Sequence, residues 1–506
     1  MGLINKIVSK VTSKRLQQID FYRKNPEEVQ NNVLFDLINK AQNTEFGIEH
    51  NFSNIVKNKS LSDFRKNIPL SHYEDLQPYV DRIIKGERNL LWQGENKWFA
   101  VSSGTTSSKS KYIPISKDSL ELCHFRGGRD IMAMYSAMFP ETDVFKGRIL
   151  AVGGSQQVNS FGSKQYYGDL SAVLLENMPL WLKFLRTPSH STVLMSEWEE
   201  KIEKMAKETI KTRVTNISGV PSWTLVLLKR ILEITGKNNL IDVWPNLELF
   251  VHGGVSFTPY RNEYKKIIQS SSMNYLEIYN ASEGFFAIQD DLKDPGMLLT
   301  LDNGVFYEFI PPENILDENP KSYTVEDVEI GKNYAIVIST NAGLWRYVIG
   351  DTVKFTSKHP HKIVITGRIK HFINAFGEEL IIDNAENALK IACDKTGATI
   401  KEYTAAPIFM KENSTGGHEW LIEFNQKPDN FENFCKILDD SLKAVNSDYE
   451  AKRHKNMALQ TPVIHIAKDG VFYKWLAGRG KLGGQNKIPR LANNRDYIEP
   501  LLELNK

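Results

Sequence analysis

The chain has 506 residues, of which 41% are hydrophobic and 25% charged, and a formal net charge of +2. That length exceeds one ordinary core and implies at least two domains, while the near-neutral charge excludes the strong basic field of a nucleic-acid or anionic-membrane partner. Cys123, Cys393 and Cys435 form no CxxC pair, which excludes a zinc framework built on them or a secreted disulfide scaffold and fits a reducing cytoplasm.

The opening MGLINKIVSKVTSKR places apolar Leu3, Ile4, Ile7, Val8 and Val11 among Lys6, Lys10 and Lys14. This is the period of a helix packed on the protein body, not a signal peptide. Lysine at position six breaks the myristoylation pattern, and no stretch is long and apolar enough to span a bilayer. Helices and loops are expected over the first ninety or so residues. Next come GRILAVGGS (148–155) and LELFVHGGVSF (247–257), each reading as a buried strand that runs into glycines. Between them, SEWEEKIEKMAKETIK and PSWTLVLLKRILEITG have helical periods. NYLEIYNASEG, MLLTLDNGVFYEFI and NYAIVISTN read as strands, the last two as neighbours. A second unit is expected from Gly367, giving domains 1–366 and 367–506. It combines helices DNAENALKIACDKTG and NFENFCKILDDSLKAVN with strand HEWLIEFNQ, and VIHIAKDGVFYKWLA reads as extended chain. This alternation marks a small α+β or α/β domain on a short link, able to reorient across a shared cleft.

Chemistry concentrates first in VSSGTTSSKSKYIPIS (101–116), where small hydroxyl residues surround Gly104 ahead of Lys109 and Lys111. Such residues let backbone N–H groups approach an anion, and lysine adds a point charge, so the segment suits a polyphosphate cradle. The alternative for the segment standing alone is a polar surface loop. A Walker A loop is excluded, because no glycine precedes the lysine and no GK[ST] follows. Three more segments occur in order, each expected at a strand end: VHGGVSF (251–257) with bare backbone at Gly253 and Gly254, YNASEG (279–284) and RYVIGD (346–351). VHGGV lacks the G-x-S-x-G turn of a serine hydrolase. His418-Glu419 does not continue into HExxH, and His359, His361 and His418 are expected to be solvated residues, not metal ligands.

These segments, with TEFGIEH (44–50), DFRKNIPLSHYEDLQPYVDRIIKGE (63–87) and QNKIPR (485–490), resemble the acyl-adenylating superfamily of firefly luciferase, acyl-CoA synthetases and peptide-synthetase adenylation domains. Within it the chain is most similar to the auxin-responsive Gretchen Hagen family of acyl-acid amido synthetases, over nearly its whole length. The resemblance implies an α/β fold: a large luciferase-like adenylating domain with flanked β-sheets and a β-rich subdomain, plus a small mobile C-terminal α+β domain. It implies ATP- and Mg²⁺-dependent activation of a small carboxylic acid, followed by transfer to an amine. Small-molecule acid and amino acid substrates are then the partners, with no nucleic acid and no membrane.

Residue by residue, the resemblance gives Ser102, Ser103, Gly104, Thr105 and Thr106 to the ATP phosphates, with Lys111 as the loop lysine. Gly253, Gly254 and Val255 line the adenine and acyl pockets. Tyr279 contacts adenine, Ser282 the phosphate, Glu283 holds Mg²⁺ and Asp351 accepts from the ribose hydroxyls. Arg368 begins the small domain, Lys370 lies at the hinge, and Lys487 is the lysine carried to the reacting carboxylate and α-phosphate. Those roles match the chemistry, since two anions must meet and their repulsion must be relieved. Ser107 and Ser108 stand where family members carry glycine. Val348 stands where many relatives carry a basic residue, with Arg346 as its possible replacement. An acyl-CoA ligase, sharing the first half-reaction, and a non-catalytic nucleotide-binding relative are the alternatives.

Overall fold

The computed structural model describes residues 3–506 apart from 103–110, 153–157, 163, 194, 196–197, 256, 258–259, 316, 370–371, 411–414, 457 and 479–488. Helices run from Leu3–Lys24 through Tyr73–Ile84, as the sequence predicts. The first packs on the body: Ile19 and Tyr22 are buried, and Arg15 pairs with Asp130 at 2.7 Å. Behind it, Gln30 donates to the carbonyls of Leu301 and Val305 and accepts from the Tyr307 amide. A buried amide is thereby satisfied on both ends. Among the described residues no helix is long and apolar enough to cross a membrane.

An eleven-stranded sheet carries the architecture. Arg186–Thr187, Arg148–Ala151, Val214–Gly219, Leu249–His252 and Asn274–Ala281 lie parallel in that spatial order. Continuous burial of Leu249 to His252 is what a strand covered on both faces requires. Beyond Asn274–Ala281 the pairing turns antiparallel, through Gly284–Gln289, Met297–Leu299, His361–Arg368, Tyr347–Lys358, Asn333–Thr340 and Val305–Ile310. Ala281 pairs with Gly284, so Ser282 and Glu283 form the two-residue turn at the switch. The carboxyl ends of the parallel strands and this switch define a crevice. A smaller sheet holds Lys111–Ile115, Trp98–Ser102, Tyr166–Gly168 and Asn159–Ser160.

Several expectations change. MLLTLDNGVFYEFI is two strands, not one, because the chain turns at Gly304, whose φ is +70°. Asp351 sits inside Tyr347–Lys358, not at a strand end. The described histidines are not uniformly solvated. His361 starts a strand with 2% of its surface exposed, bonded to the Val325 carbonyl, and His418 is buried against Glu378 at 2.8 Å. Both rings fill core space and satisfy one nitrogen on a protein group.

In the C-terminal part, Thr399–Ile408, Gly417–Gln426 and Val463–Ile466 form a sheet, with helices Ile382–Thr396 and Phe431–Val445 packed on each other. The segment expected to stay extended after Ile466 instead forms the helix Val471–Gly478. Val471, Phe472 and Trp475 are all buried, a helical spacing. One apolar cluster joins Trp223, Phe257 and Tyr260 of the parallel half to Phe376, Tyr403 and Trp420. Tyr260 Oη donates to the Ala375 carbonyl at 2.6 Å across that contact.

Candidate active site

A cavity of about 1940 Å³ opens at the crevice, and Ser102, Lys111, Gly253, Gly254, Val255, Tyr279, Ser282, Glu283, Asp351 and Arg368 all line it. These are all the expected site residues that lie among the described ones. Ser103, Gly104, Thr105, Thr106, Lys370 and Lys487 lie outside the described residues. Among the aromatic residues, Trp223 lines the cavity, whereas Phe161 and Tyr167 pack with Tyr112 on the smaller sheet. Trp181's side chain lies outside the described residues.

The polyphosphate candidate is the loop of a hairpin whose stems are Trp98–Ser102 and Lys111–Ile115, with Ser102 directly opposite Lys111. That register brings Lys111 to the cavity wall. Its ammonium lies 5.6 Å from the centre of the Tyr73 ring, and the Tyr73 hydroxyl accepts from the Tyr112 amide at 2.9 Å. Burial pulls the Lys111 pKa below its ordinary value, and the charge of Glu283 opposes that.

Where Leu249–His252 ends, a Cβ on Gly253 would come within 2.6 Å of the Ile278 carbonyl oxygen, and Gly254 has φ +82°. Neither position suits a side chain: one for lack of space, the other for its left-handed backbone. The chain therefore crosses the next strand as bare backbone and delivers Val255 to the cavity.

At the switch turn, burial pushes the Glu283 carboxyl up to about 7; its own backbone amide and the Lys111 charge oppose the shift, and Asp351 adds to it. Two strands of a neighbouring hairpin supply the other charges. Asp351 faces Arg368 in register and accepts from Arg368 Nε at 2.6 Å on one oxygen and from Tyr279 Oη at 2.7 Å on the other. Each oxygen keeps a lone pair for a ligand hydroxyl. Tyr279 is 4% exposed, and burial, then Asp351, raise its pKa so that the phenol stays a donor. For Arg368, burial lowers the pKa, but Glu379 and Asp351 outweigh it. Its guanidinium lies 3.4 Å from Glu379 and 5.0 Å over the Phe372 ring.

Glu379, Asp448 and Lys452 also line the cavity without having been singled out from sequence. Glu379 closes the stretch AFGEE (375–379), but its signal is conformational. It holds φ at 38°, uncommon for a non-glycine residue, with its amide on Asn374 Oδ1 and its carbonyl on Asn446 Nδ2. Arg346 does not replace the missing basic residue at Val348. Its side chain is spent on Glu308 at 2.8 Å and the Ile68 carbonyl, while Val348 packs with Ile310 and Ala335. Among the described residues no group of three His, Cys, Asp or Glu could hold a metal. Glu283 offers a carboxylate at the cavity wall, a donor of the type Mg²⁺ takes when nucleotide phosphates supply its other ligands.

Three domain models cover this arrangement: the GH3 family N-terminal domain over residues 15–273, the GH3 family central domain over 298–368 and the GH3 family C-terminal domain over 383–496. An indole-3-acetic acid-amido synthetase of Arabidopsis thaliana is 24% identical, the match covering 99% of this chain and 95% of that protein. A jasmonoyl–L-amino acid synthetase of Nicotiana attenuata is 23% identical over 94% of this chain and 92% of its own length. In fold, the chain matches an acyl acid amido synthetase in complex with 2,4-DB at a TM-score of 0.61 and 18% identity, covering 97% and 95% of the two chains. Domain models in chain order, whole-length relatives and the crevice geometry agree: the chain belongs to the GH3 family of acyl-acid amido synthetases.

Proposed function

We propose that the protein uses ATP to activate a small carboxylic acid as an acyl-adenylate and then passes the acyl group to an amine, an amino acid, forming an amide. In the first step a carboxylate oxygen attacks the α-phosphorus, the bond to the β-phosphate oxygen breaks and pyrophosphate leaves. In the second, the neutral amine attacks the acyl carbon, the bond to AMP breaks and the amine nitrogen loses a proton. One observation carries this reading: Ser102 and Lys111 at the ends of two paired strands, residues from two parallel strands, the switch turn and the antiparallel hairpin converge on one cavity in a GH3 chain.

Lys111 and Ser102, at the loop base, would bind and orient the phosphates, and Ser282 would donate to the α-phosphate. Tyr279 and Arg368 hold the Asp351 carboxylate, ready to accept from the ribose. Tyr279, with its hydroxyl committed to Asp351, would contact adenine with its ring. Glu283, once ionised, would hold Mg²⁺. The bound ion would neutralise phosphate charge during attack. Lys487 is assigned the charge beside the reacting carboxylate, with 367–506 as the small domain and Lys370 as its hinge. The sheet's last strand ending at Arg368 and the C-terminal model starting at 383 support that boundary. Three free cysteines support a cytoplasmic setting.

The test is pyrophosphate release with a panel of carboxylic acids, with and without amino acids or coenzyme A. Amide product with an amino acid is expected. Thioester product with no amide would move the chain to the CoA ligases, and no release with any acid would make it a nucleotide-binding relative without chemistry.

A further inference from the structure

The cavity is large and has more than one part. At about 1940 Å³ it exceeds the roughly 300–1,000 Å³ of most small-molecule sites. Part of it extends away from Glu283, between helices Phe125–Met138 and Leu170–Asn177 and the strand Arg148–Ala151, where Phe125, Met132, Phe145, Ile149, Leu174 and Leu182 line it.

Arg186, on the edge strand, lines this lobe too. Among the described residues its guanidinium has no carboxylate partner, and its one polar contact is Nη1 to Met178 Sδ at 3.8 Å. Burial pulls its pKa down to about 10. Arg186 is half-buried, and three other arginines withdrawn from solvent are answered: Arg346 by Glu308, Arg368 by Asp351 and Arg453 by Asp439. An uncompensated cation in apolar surroundings costs stability unless something pairs with it.

That something is not the carboxylate that reacts. The strand Arg186–Thr187 lies four strand spacings from Asn274–Ala281, about 19 Å at ~4.8 Å each. Arg186 is level with Ile149, which through successive strands is level with Asn274, at the opposite end of its strand from the switch turn. A long molecule could touch both places; a small acid could not.

We propose that the acid this protein activates carries a second anionic group at the far end of an extended apolar body, one end reacting beside Glu283 and the other paired with Arg186. The inference rests on the adenylation reading and names its substrate class, a long α,ω-dicarboxylate.

Pyrophosphate release is measured with hexadecanedioate, hexadecanoate, the ω-hydroxy analogue of hexadecanoate, and benzoate. The wild-type protein is expected to prefer the dicarboxylate over both other long acids by roughly ten- to hundredfold in kcat/KM, the worth of a hydrogen bond to a charged group. Arg186→Met should collapse that ratio, and Arg186→Lys should keep part of it. The wild-type comparison needs no variant to fold. Equal use of the three long acids, an equal gain from the hydroxyl, or a ratio unmoved in Arg186→Met would each overturn the assignment. Turnover of benzoate without any preference among the long acids would leave adenylation standing and remove only this inference. No release with any acid would remove both.

Discussion

Replacing Glu283 with glutamine should make the protein more stable and less active at the same time. Glu283 is 9% exposed, and burial is the largest cause lifting its carboxyl from 4.5 to about 7. A gap of about 2.5 units at 1.36 kcal/mol per unit gives roughly 3 kcal/mol as the most that ionisation can cost the folded state relative to the unfolded chain. Because the folded pKa is the higher one, the native state binds this proton more tightly. Its contribution is whole below about pH 4.5 and disappears as pH rises through about 7. Glutamine never ionises, so the variant escapes that loss. With about 2.1 cal/mol/K of unfolding entropy per residue over 506 residues, 3 kcal/mol corresponds to about 3 °C. Differential scanning calorimetry of both proteins without ligand at pH 5 and pH 8.5 is the assay. The variant's advantage in Tm should be small at pH 5 and about 3 °C larger at pH 8.5, while pyrophosphate release falls by about two to three decades. An advantage independent of pH would refute burial of an ionising carboxyl as its source.

Four other substitutions follow from named contacts. Asp351→Asn leaves Arg368 with Glu379 as its carboxylate partner; stability in urea should fall by about 3 kcal/mol and KM for ATP should rise, and an unchanged KM would count against the ribose role. Gly253→Ala drives a methyl group to 2.6 Å from the Ile278 carbonyl, so a thermal scan should show a loss of about 1–3 kcal/mol. Arg346→Ala leaves Glu308, itself 1% exposed, with Arg65 and Ser322 as its remaining partners and should cost about 1.5–3 kcal/mol, the worth of hydrogen bonds to a charged group, while KM for ATP in the folded fraction stays unchanged. Lys487→Ala should abolish pyrophosphate release with the unfolding midpoint unaltered, and full release by that variant would remove Lys487 from the mechanism.

What could be read from sequence was local. The hydroxyl-rich loop, the glycine pair and the YNASEG turn announce themselves because each function needs particular residue types side by side, and their order along the chain identifies the family. Pairings across distance left no such mark. Arg346 and Glu308 are 38 residues apart, and His418 and Glu378 are 40 apart; no periodicity ties either pair together, so one arginine looked available and one histidine looked solvated. Asp351 was misplaced because a glycine before it reads as a strand end, whereas the strand continues to Lys358. Val471 to Trp475 carry residues favoured in strands, and only their burial at helical spacing, after Gly470 with φ +74°, decides for a helix. Arg186 was invisible for a different reason. An arginine without a partner is recognised by what surrounds it, and sequence does not list absences.

Asp351 sits at a junction whose geometry has a thermodynamic corollary. The side chain that would receive a ribose also grips Arg368, the last residue of the sheet before the backbone runs on toward the C-terminal part. Each oxygen has a lone pair to spare, so a ribose hydroxyl bound there would share the carboxylate with Arg368 without displacing it. By linkage, a movement of the tail that loosened the Arg368 contact would change affinity for a nucleotide held on Asp351, and two residues on adjacent strands would suffice to couple them.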